Sequence, residues 1–385
     1  MKPRRLSSVE SHRFSSSEAY TLGVEEEYML LEPETFELVQ RADTILDADP
    51  DGEFASRTSC ELFQSELEGR TPVCTSVDEA AGELRGLRAH LEGLLKDHGL
   101  VLACAGTHPF ARYEDQLITD RPRYRGIVEQ VQYPARRELI FGVHVHVGVP
   151  DPEAAIRALH GLRPQIGDLI ALSASSPFWR GFRSGLHSTR HTIFGTFPRA
   201  GVPPAFPDYR EFVAYVRTLE AAGVLDDYTR IWWELRPHPR LGTIEVRAMD
   251  AVERVDDTIA LAAYVQALVK SAVEGPAPPP PSSLEDAIVR ENKWQAIRYG
   301  LDATAIAADG RPMPIREHIL RKLDDLAGTA AALDSEAALR DVERIARCGT
   351  SADRQLAIYA ETRDLRAVAH SIANETSNAV SIAPA

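Results

Sequence analysis

Cysteine is scarce in this sequence of 385 residues, which contains only four. Cys60, Cys74, Cys104 and Cys348 are scattered and form no CxxC pair, which excludes a zinc ribbon or a dense disulfide framework and is typical of reduced thiols. Long apolar runs are also missing: the longest, Ile259 to Val269, is too short to span a bilayer. We therefore predict a cytoplasmic protein whose thiols take no part in its chemistry.

Positive charge is in deficit as well. The chain has 43 Lys and Arg residues against 57 Asp and Glu residues, a net charge of -14. This balance argues against general binding to nucleic acid or to an anionic membrane, since both require a positive surface. Neither GxxxxGK[ST] nor GxGxxG occurs, so a bound nucleotide would be held through metal and arginine rather than by a glycine-rich loop.

The most informative segment is Thr21 to Leu31, TLGVEEEYMLL, where three consecutive carboxylates lie inside a strand-like apolar run. Because strand side chains alternate, Glu25 and Glu27 share one face, while Val24, Glu26 and Tyr28 take the other. A buried pair of like charges requires a cation or a proton. The segment therefore indicates half of a metal site, although an edge strand that exposes its acids to water is an alternative.

Three further strand candidates carry polar residues at strand spacing. A second acidic strand is predicted over Cys60 to Val73, an alternating strand over Ile140 to Val149, and a hairpin over Ile231 to Asp250. Each pattern has an ordinary interpretation, such as a polar face or a same-face salt bridge. Brought together, they predict one concave polar sheet surface whose oxygen-rich ligands suit Mg²⁺ or Mn²⁺. The residues concerned are Glu61, Gln64, Glu66 and Glu68, then His144 and His146, then Glu245 and Arg247.

Helices are predicted between and after these strands. Ser76 and Glu79 form a capping box for a helix that ends near Gly99, and Pro164 divides the helical segment that begins at Pro152. Further helices are predicted at 208–222, 255–274 and throughout the C-terminal part, whereas 178–207 is loop-like. The order of elements indicates an α+β fold with a mostly antiparallel sheet surrounded by helices.

Domain boundaries follow from composition. Residues 1–18 are Ser-rich and lack an apolar segment, which predicts a disordered N-terminal tail. Residues 19–375 are predicted to form a single domain, in which a Pro-rich connector at 276–283 leads to the helical C-terminal part. Residues 376–385 are predicted to be a frayed tail.

Several segments, taken in order, resemble the carboxylate-amine ligase family, also called glutamate–cysteine ligase type 2. They are GVEEEYMLL, the stretch from Glu61 to Val73, GTHPFA, FGVHVHVG, HSTRHTIFGTFP, WWELRPHPRLGTIEVRAMD and KWQAIRYGLDA. The resemblance implies a fold like the catalytic domain of glutamine synthetase, in which an antiparallel sheet forms a funnel holding two or three Mg²⁺ ions between ATP and glutamate. It covers nearly the whole chain from residue 19.

The resemblance also implies roles for individual residues. Metal ligands are implied at Glu25, Glu27, Glu61, Glu68, His144 and Glu245. Arg247 falls where an arginine meets the transferring phosphate, and Arg190 where a substrate carboxylate or phosphate is held. His146 or a carboxylate would accept the proton of the amine. Glu61 and Glu68 differ in strand parity, so a bulge or a strand end must bring both inward. Separately, we expect Arg354, in the segment TSADRQ, to close over the nucleotide.

The implied activity is ATP-dependent ligation of glutamate, or a similar acid, to an amine such as cysteine through an acyl phosphate. A guanidino-kinase-like phosphotransferase is the first alternative, because a related sheet serves that chemistry. A metal-dependent hydrolase, or a catalytically silent metal-binding protein, is the second. The expected partners are small-molecule substrates, with no nucleic acid or membrane, and the chain is expected to form a homodimer.

Overall fold

A seven-stranded sheet organises the protein, whose computed structural model describes residues 9–14, 18–49, 52, 54–276 and 282–378. Its strand order is β2-β3-β1-β5-β9-β8, with β4 paired to the end of β1, and all these pairings are antiparallel. The strands are β1 (Leu22–Leu31), β2 (Thr58–Cys60), β3 (Glu66–Arg70), β4 (Val101–Ala103), β5 (Gly142–Gly148), β8 (Leu235–His238) and β9 (Thr243–Asp250).

Two small hairpins lie outside this sheet. They pair β6 (Phe178–Trp179) with β7 (Phe182–Arg183), and β10 (Thr304–Ile306) with β11 (Pro312–Pro314). The helices are α1 (Ala42–Asp47), α2 (Val77–Asp97), α3 (Pro122–Val131), α4 (Tyr133–Arg136), α5 (Pro152–Leu162), α6 (Ile166–Ser173), α7 (Arg190–Phe194), α8 (Tyr209–Ala221), α9 (Val255–Glu274), α10 (Ser283–Tyr299), α11 (Ile315–Ala331), α12 (Glu336–Cys348), α13 (Ser351–Thr362) and α14 (Leu365–Asn378).

Helices cover one face of the sheet and bury its apolar side chains. The core is formed by alternate residues of β1, β5 and β9, such as Val24, Val145 and Val246, together with the almost wholly buried helix α9. Since strand side chains alternate, burying this face leaves the polar residues of the same strands on the opposite face. Within the described part of the chain, no helix combines the length and the apolar character needed to cross a membrane.

Most predicted elements form where local sequence signals were strong. Ser76 accepts a hydrogen bond from the Glu79 amide at the start of α2, and α9 spans the predicted residues. The segment from Pro152 is divided at Pro164, with a short 3₁₀ turn between α5 and α6. An antiparallel sheet with surrounding helices confirms the predicted α+β fold.

Four predictions were wrong. Residues 178–207 are not wholly loop-like, because the β6–β7 hairpin and α7 lie within them. The segment 60–73 is not one strand, because a turn at 61–65 separates β2 from β3. The C-terminal part is not wholly helical, because β10 and β11 interrupt it. The N-terminal tail is ordered over residues 9–14, since Val9 and Phe14 are buried and the Tyr209 hydroxyl donates to the Val9 carbonyl at 2.9 Å.

Both ends of the chain and the connector extend past the described residues. Helix α14 continues to Asn378 and buries Thr376, so the C-terminal tail begins later than residue 376. The rest of that predicted tail, residues 1–8 and 15–17, and most of the connector at 276–283 lie outside the described residues.

Candidate active site

The polar face of the sheet forms the floor of a cavity of about 540 Å³. Strands β1, β3, β5 and β9 each contribute alternate side chains to this face. The cavity brings together all the residues that the sequence indicates as metal ligands, and His146 and Arg247 beside them: Glu25, Glu27, Glu61, Glu68, His144 and Glu245.

One half of the floor neutralises its carboxylates with cations of the chain. We name it the paired side, and it consists of Glu25, His144, His146, Arg236, Glu245 and Arg247. Arg236 faces Glu245 across the β8–β9 ladder and donates to its two oxygens at 2.7 and 3.0 Å. Arg247 donates to Glu245 Oε1 at 2.6 Å. Two guanidinium groups therefore enclose one carboxylate.

These contacts favour the ionised carboxylates. Burial opposes ionisation of Glu245, but Arg236 and Arg247 outweigh it and hold the pKa of Glu245 well below its usual range. Burial also opposes ionisation of Glu25, but the charge of His146 and hydrogen bonds from His144 and His146 hold the pKa of Glu25 well below its usual range. Conversely, Glu25 and Glu245 raise the pKa of His146 against the effect of burial.

The two histidines of β5 occupy different positions on the paired side. His146 Nε2 lies 3.6 Å from Glu25 Oε1 and 3.9 Å from Glu245 Oε1, and the ligand atoms of these three residues lie within 4.8 Å of one another. His144 Nδ1 lies 3.3 Å from Glu25 Oε2 and 3.4 Å from Arg247 Nη1. The geometry therefore groups His146, rather than the expected His144, with two carboxylates as a candidate cation site.

The other half of the floor is dominated by carboxylates. We name it the acidic side. Glu27, Glu61, Glu68 and Glu138 line the cavity there, and the buried Glu66 lies next to this lining, two residues before Glu68 in β3. The nearest cation recorded for Glu68 is the half-exposed Arg70, whose Nη1 lies 3.5 Å from Glu68 Oε1. Tyr124 donates weakly to Glu61 Oε1 at 3.4 Å. The Glu66 Oε1 atom is buried and has no hydrogen-bond partner among the described residues.

Protonation is favoured on the acidic side. Burial raises the pKa of Glu68 to about 8, with further contributions from Glu25 and Glu27. Burial and Glu27 raise the pKa of Glu138 to about 8. Burial also raises the pKa of Glu61, and the charges of Glu68 and Glu27 raise it further. Burial raises the pKa of Glu66 in the same way, with further contributions from Glu27 and Glu138. Several carboxylates held together in this way are the donor set that Mg²⁺ or Mn²⁺ prefers, so the residues present fit a divalent cation.

The turn at 61–65 explains how Glu61 and Glu68 reach the same cavity. Glu61 directly follows β2, whereas Glu68 lies in β3, opposite Glu27 in the β1–β3 ladder. Because the two glutamates do not lie in one continuous strand, their spacing does not force their side chains onto opposite faces of the sheet. The strand end that the sequence analysis required is present.

Glu26, the central acid of the triplet, has a structural role on the opposite face. It is fully buried and bound by Arg88 at 2.6 and 3.0 Å, while Tyr28 and Thr258 each donate to it at 2.6 Å. A buried carboxylate needs such pairing, because breaking a buried ion pair typically costs about 3–5 kcal/mol. Glu26 thus fixes β1 against α2 and α9 while its two neighbours face the cavity.

Two predicted ligand-binding arginines do not line the cavity. Arg190 is buried beside Gly142, where a Cβ atom would collide with its guanidinium group, and its Nη1 lies 3.5 Å from the Arg247 carbonyl. Arg354 binds Glu253 at 2.9 and 3.1 Å, which ties α13 to the segment before α9. A buried carboxylate thus binds the Arg354 guanidinium group in this structure, and contact between Arg354 and a nucleotide stays a prediction.

Other residues of the site were not singled out from the sequence. Arg236 could be located only through its register opposite Glu245, and Glu138 lies in the irregular segment between α4 and β5, where no periodicity reveals its direction. Glu66 was noted only as part of an acidic stretch. An aromatic wall, formed by Phe194, Phe197 and Trp232, also lines the cavity.

Two solved structures share this fold. A glutamate–cysteine ligase from Francisella tularensis, in complex with AMP, matches with a TM-score of 0.67 over 95% of this chain and 94% of that chain, at 13% identity. A bifunctional glutathione synthetase from Pasteurella multocida matches with a TM-score of 0.68 over 94% of this chain and 53% of that chain, at 12% identity. The protein therefore has the fold of these glutamate–cysteine ligases.

Sequence comparison identifies the family more narrowly. The profile of glutamate-cysteine ligase family 2 (GCS2) matches residues 21–371. A relative from Rubrobacter xylanophilus, named as glutamate–cysteine ligase 2-1, is 45% identical over 346 residues, which cover 90% of this chain and 92% of the relative. A relative from Sorangium cellulosum, named as glutamate–cysteine ligase 2, is 42% identical over 361 residues, covering 93% and 96%. The chain belongs to glutamate-cysteine ligase family 2 and is a ligase, which confirms the resemblance seen in its motifs.

Proposed function

We propose that this ligase uses ATP to join the γ-carboxylate of glutamate, or of a similar acid, to an amine through an acyl phosphate. The observation that carries the proposal is the division of one cavity floor into a cation-requiring acidic side and a paired side bearing arginine. The AMP bound to the Francisella tularensis ligase supports the use of an adenine nucleotide.

We infer two positions for a divalent cation. Glu27, Glu61 and Glu68 would hold it on the acidic side, and Glu25, His146 and Glu245 on the paired side. When bound, such ions neutralise phosphate charge and act as Lewis acids toward a phosphoryl oxygen. The raised pKa values of Glu61 and Glu68 support this assignment on the acidic side. On the paired side it is supported by the buried His146 Nε2, which has no hydrogen-bond partner among the described residues.

Among the described residues, Arg247 is the best placed to act on the phosphoryl group that is transferred. It lines the cavity, and its orientation is fixed by Glu245 on one side and His144 on the other. A donor held in place in this way can stabilise charge that develops in the transition state without reorganising. The γ-carboxylate would attack the γ-phosphorus of ATP with loss of ADP, and the amine nitrogen would then displace phosphate.

The test is phosphate release from ATP with Mg²⁺, glutamate and a panel of amines, with mass spectrometry of the products. We expect release to depend on both glutamate and an amine, and the product to be an amide. A stable phosphorylated product without coupling would instead support the phosphotransferase. Hydrolysis that does not require ATP would support the metal-dependent hydrolase, and no turnover with any combination would support a silent metal-binding protein.

A further inference from the structure

Glu138 is a cavity carboxylate to which neither metal site gives a role. It precedes β5 by three residues and lines the cavity. Its carboxylate forms no hydrogen bond or ion pair with any of the described residues, although Glu27, Arg190 and Arg247 act on it electrostatically. A carboxylate so placed is available to bind a cationic group of a ligand.

The aromatic wall lines the same cavity as Glu138. Arg137, the preceding residue, donates to Thr196 Oγ1 at 3.2 Å, which places the start of this segment beside α7. The three rings form a continuous chain, because the Phe194 and Phe197 centroids are 5.3 Å apart and those of Phe197 and Trp232 are 5.2 Å apart. All three rings contribute to the lining of the cavity. The cavity lining thus combines a carboxyl group that has no partner among the described residues with the exposed edges of three aromatic rings.

We infer that Glu138 binds the ammonium group of the amine acceptor and that Phe194, Phe197 and Trp232 contact its carbon skeleton. The inference rests on the proposed ligase function and specifies its acceptor as a primary amine or amino acid with an apolar or aromatic substituent. Glutamate itself is a poorer match for this position, since its carbon chain ends in charged groups and would leave the aromatic surface without an apolar partner.

The test compares acceptors of different charge in Glu138→Gln. Loss of a charge-assisted hydrogen bond corresponds to about a 10- to 100-fold rise in KM for an ammonium-bearing amine. Hydroxylamine, which is uncharged at neutral pH, should be coupled at a nearly normal rate by the same variant. The KM values for ATP and glutamate should be unchanged. Asp226→Asn is the matched control, because it removes another cavity carboxylate that is already paired with Arg230. It should leave the KM values for amine, ATP and glutamate and the rate with hydroxylamine unchanged.

A second variant tests the wall independently of Glu138. Phe197→Leu should lower kcat/KM several-fold for amines bearing a phenyl group, relative to ethylamine, with little change in melting temperature. Wild-type preference for ethylamine over every amine with a larger apolar group would overturn the assignment of the wall.

The remaining outcomes contradict the role of Glu138. An equal loss with hydroxylamine and amines, or recovery in excess Mg²⁺, would place Glu138 in the metal-binding or phosphoryl-transfer machinery. A raised KM for glutamate alone would make it the donor-binding residue, and unchanged kinetics would remove it from the site. Failure of the proposed function is separate, because wild-type protein would then form no amide or hydroxamate at all.

Discussion

The paired side and the acidic side lie on the same sheet face, yet they stabilise negative charge differently. On the paired side, Arg236 and Arg247 neutralise Glu245, and the carboxylates stay ionised with no help from outside the chain. On the acidic side, burial and the charges of neighbouring glutamates outweigh the attraction of Arg70 and Arg123, so that protonation of Glu61 and Glu68 is favoured.

This difference separates two functions within the cavity. The paired side is preorganised, because hydrogen bonds and ion pairs among its own residues hold its arginine and histidine groups in place. The acidic side is electrostatically unfavourable by itself, because like charges of low solvent access repel strongly. A bound divalent cation would therefore stabilise the acidic side more than the paired side. The fold keeps these carboxylates close together, and the repulsion between them favours binding of a cation.

The largest effect is expected when the cation is withdrawn. Chelator should abolish turnover, and Mg²⁺ or Mn²⁺ should restore it, since the acidic side would otherwise be neutralised by protons. Glu27→Gln should lose both metal affinity and turnover while staying folded. Glu129→Gln, an exposed glutamate of α3, is the control and should behave as wild type. Turnover that persists in excess chelator would contradict the comparison of the two sides.

A smaller loss is expected within the paired side. Arg247→Met should lower kcat and kcat/KM together by about 2–4 kcal/mol, the usual effect of removing one electrostatic contact to a transition state, and extra Mg²⁺ should not restore the rate. Arg236→Met is the control: it removes a contact to the same carboxylate and two bonds to backbone carbonyls, so its main effect should be a lower melting temperature. Steady-state kinetics and thermal unfolding of both variants distinguish catalysis from support. A near-normal kcat in Arg247→Met would remove it from the mechanism.

The smallest effect is expected from the cysteines, which belong to neither side. Burial raises the pKa of Cys60 to about 12 and that of Cys74 to about 11, and burial also raises the pKa of Cys104, so reactive thiolates are disfavoured. Replacing all four with Ser or Ala should leave the coupling rate largely intact, although the buried positions should lower the melting temperature. Loss of coupling in a variant that remains folded would assign chemistry to a thiol.

The sequence was most informative where one element carried the whole signal. Alternation in β1 and β5 identified Glu25, Glu27, His144 and His146 as residues of one face, because side-chain direction in a strand depends only on parity. The capping box of α2 was equally local. These features needed no knowledge of which strands pair.

Features that depend on distant contacts were missed or misplaced. The register of β8 against β9, which brings Arg236 to Glu245, has no local signature. The turn between Glu61 and Glu66 was hidden because both flanking segments have strand-like composition. Arg354 lies in the first turn of a helix, where an arginine often binds phosphate, but the packing of this helix places its side chain against Glu253.

Unfolding of the metal-free protein at pH 5 and pH 8 tests the contrast between the two sides most directly. The pKa of Glu68 rises from 4.5 to about 8 on folding, so the folded state binds more protons over this range and stability falls as pH rises. The pKa of Glu245 is lowered instead, so its ionised form stabilises the protein above about pH 4.5 and loses that effect only in stronger acid.

In chelator at pH 8, we therefore expect Glu68→Gln to raise the melting temperature by several degrees, with a smaller rise at pH 5. Glu245→Gln should lower the melting temperature at both pH values. If Glu68→Gln instead lowers the melting temperature at pH 8 as much as Glu245→Gln does, the acidic side is not under electrostatic repulsion and the distinction between the two sides is wrong.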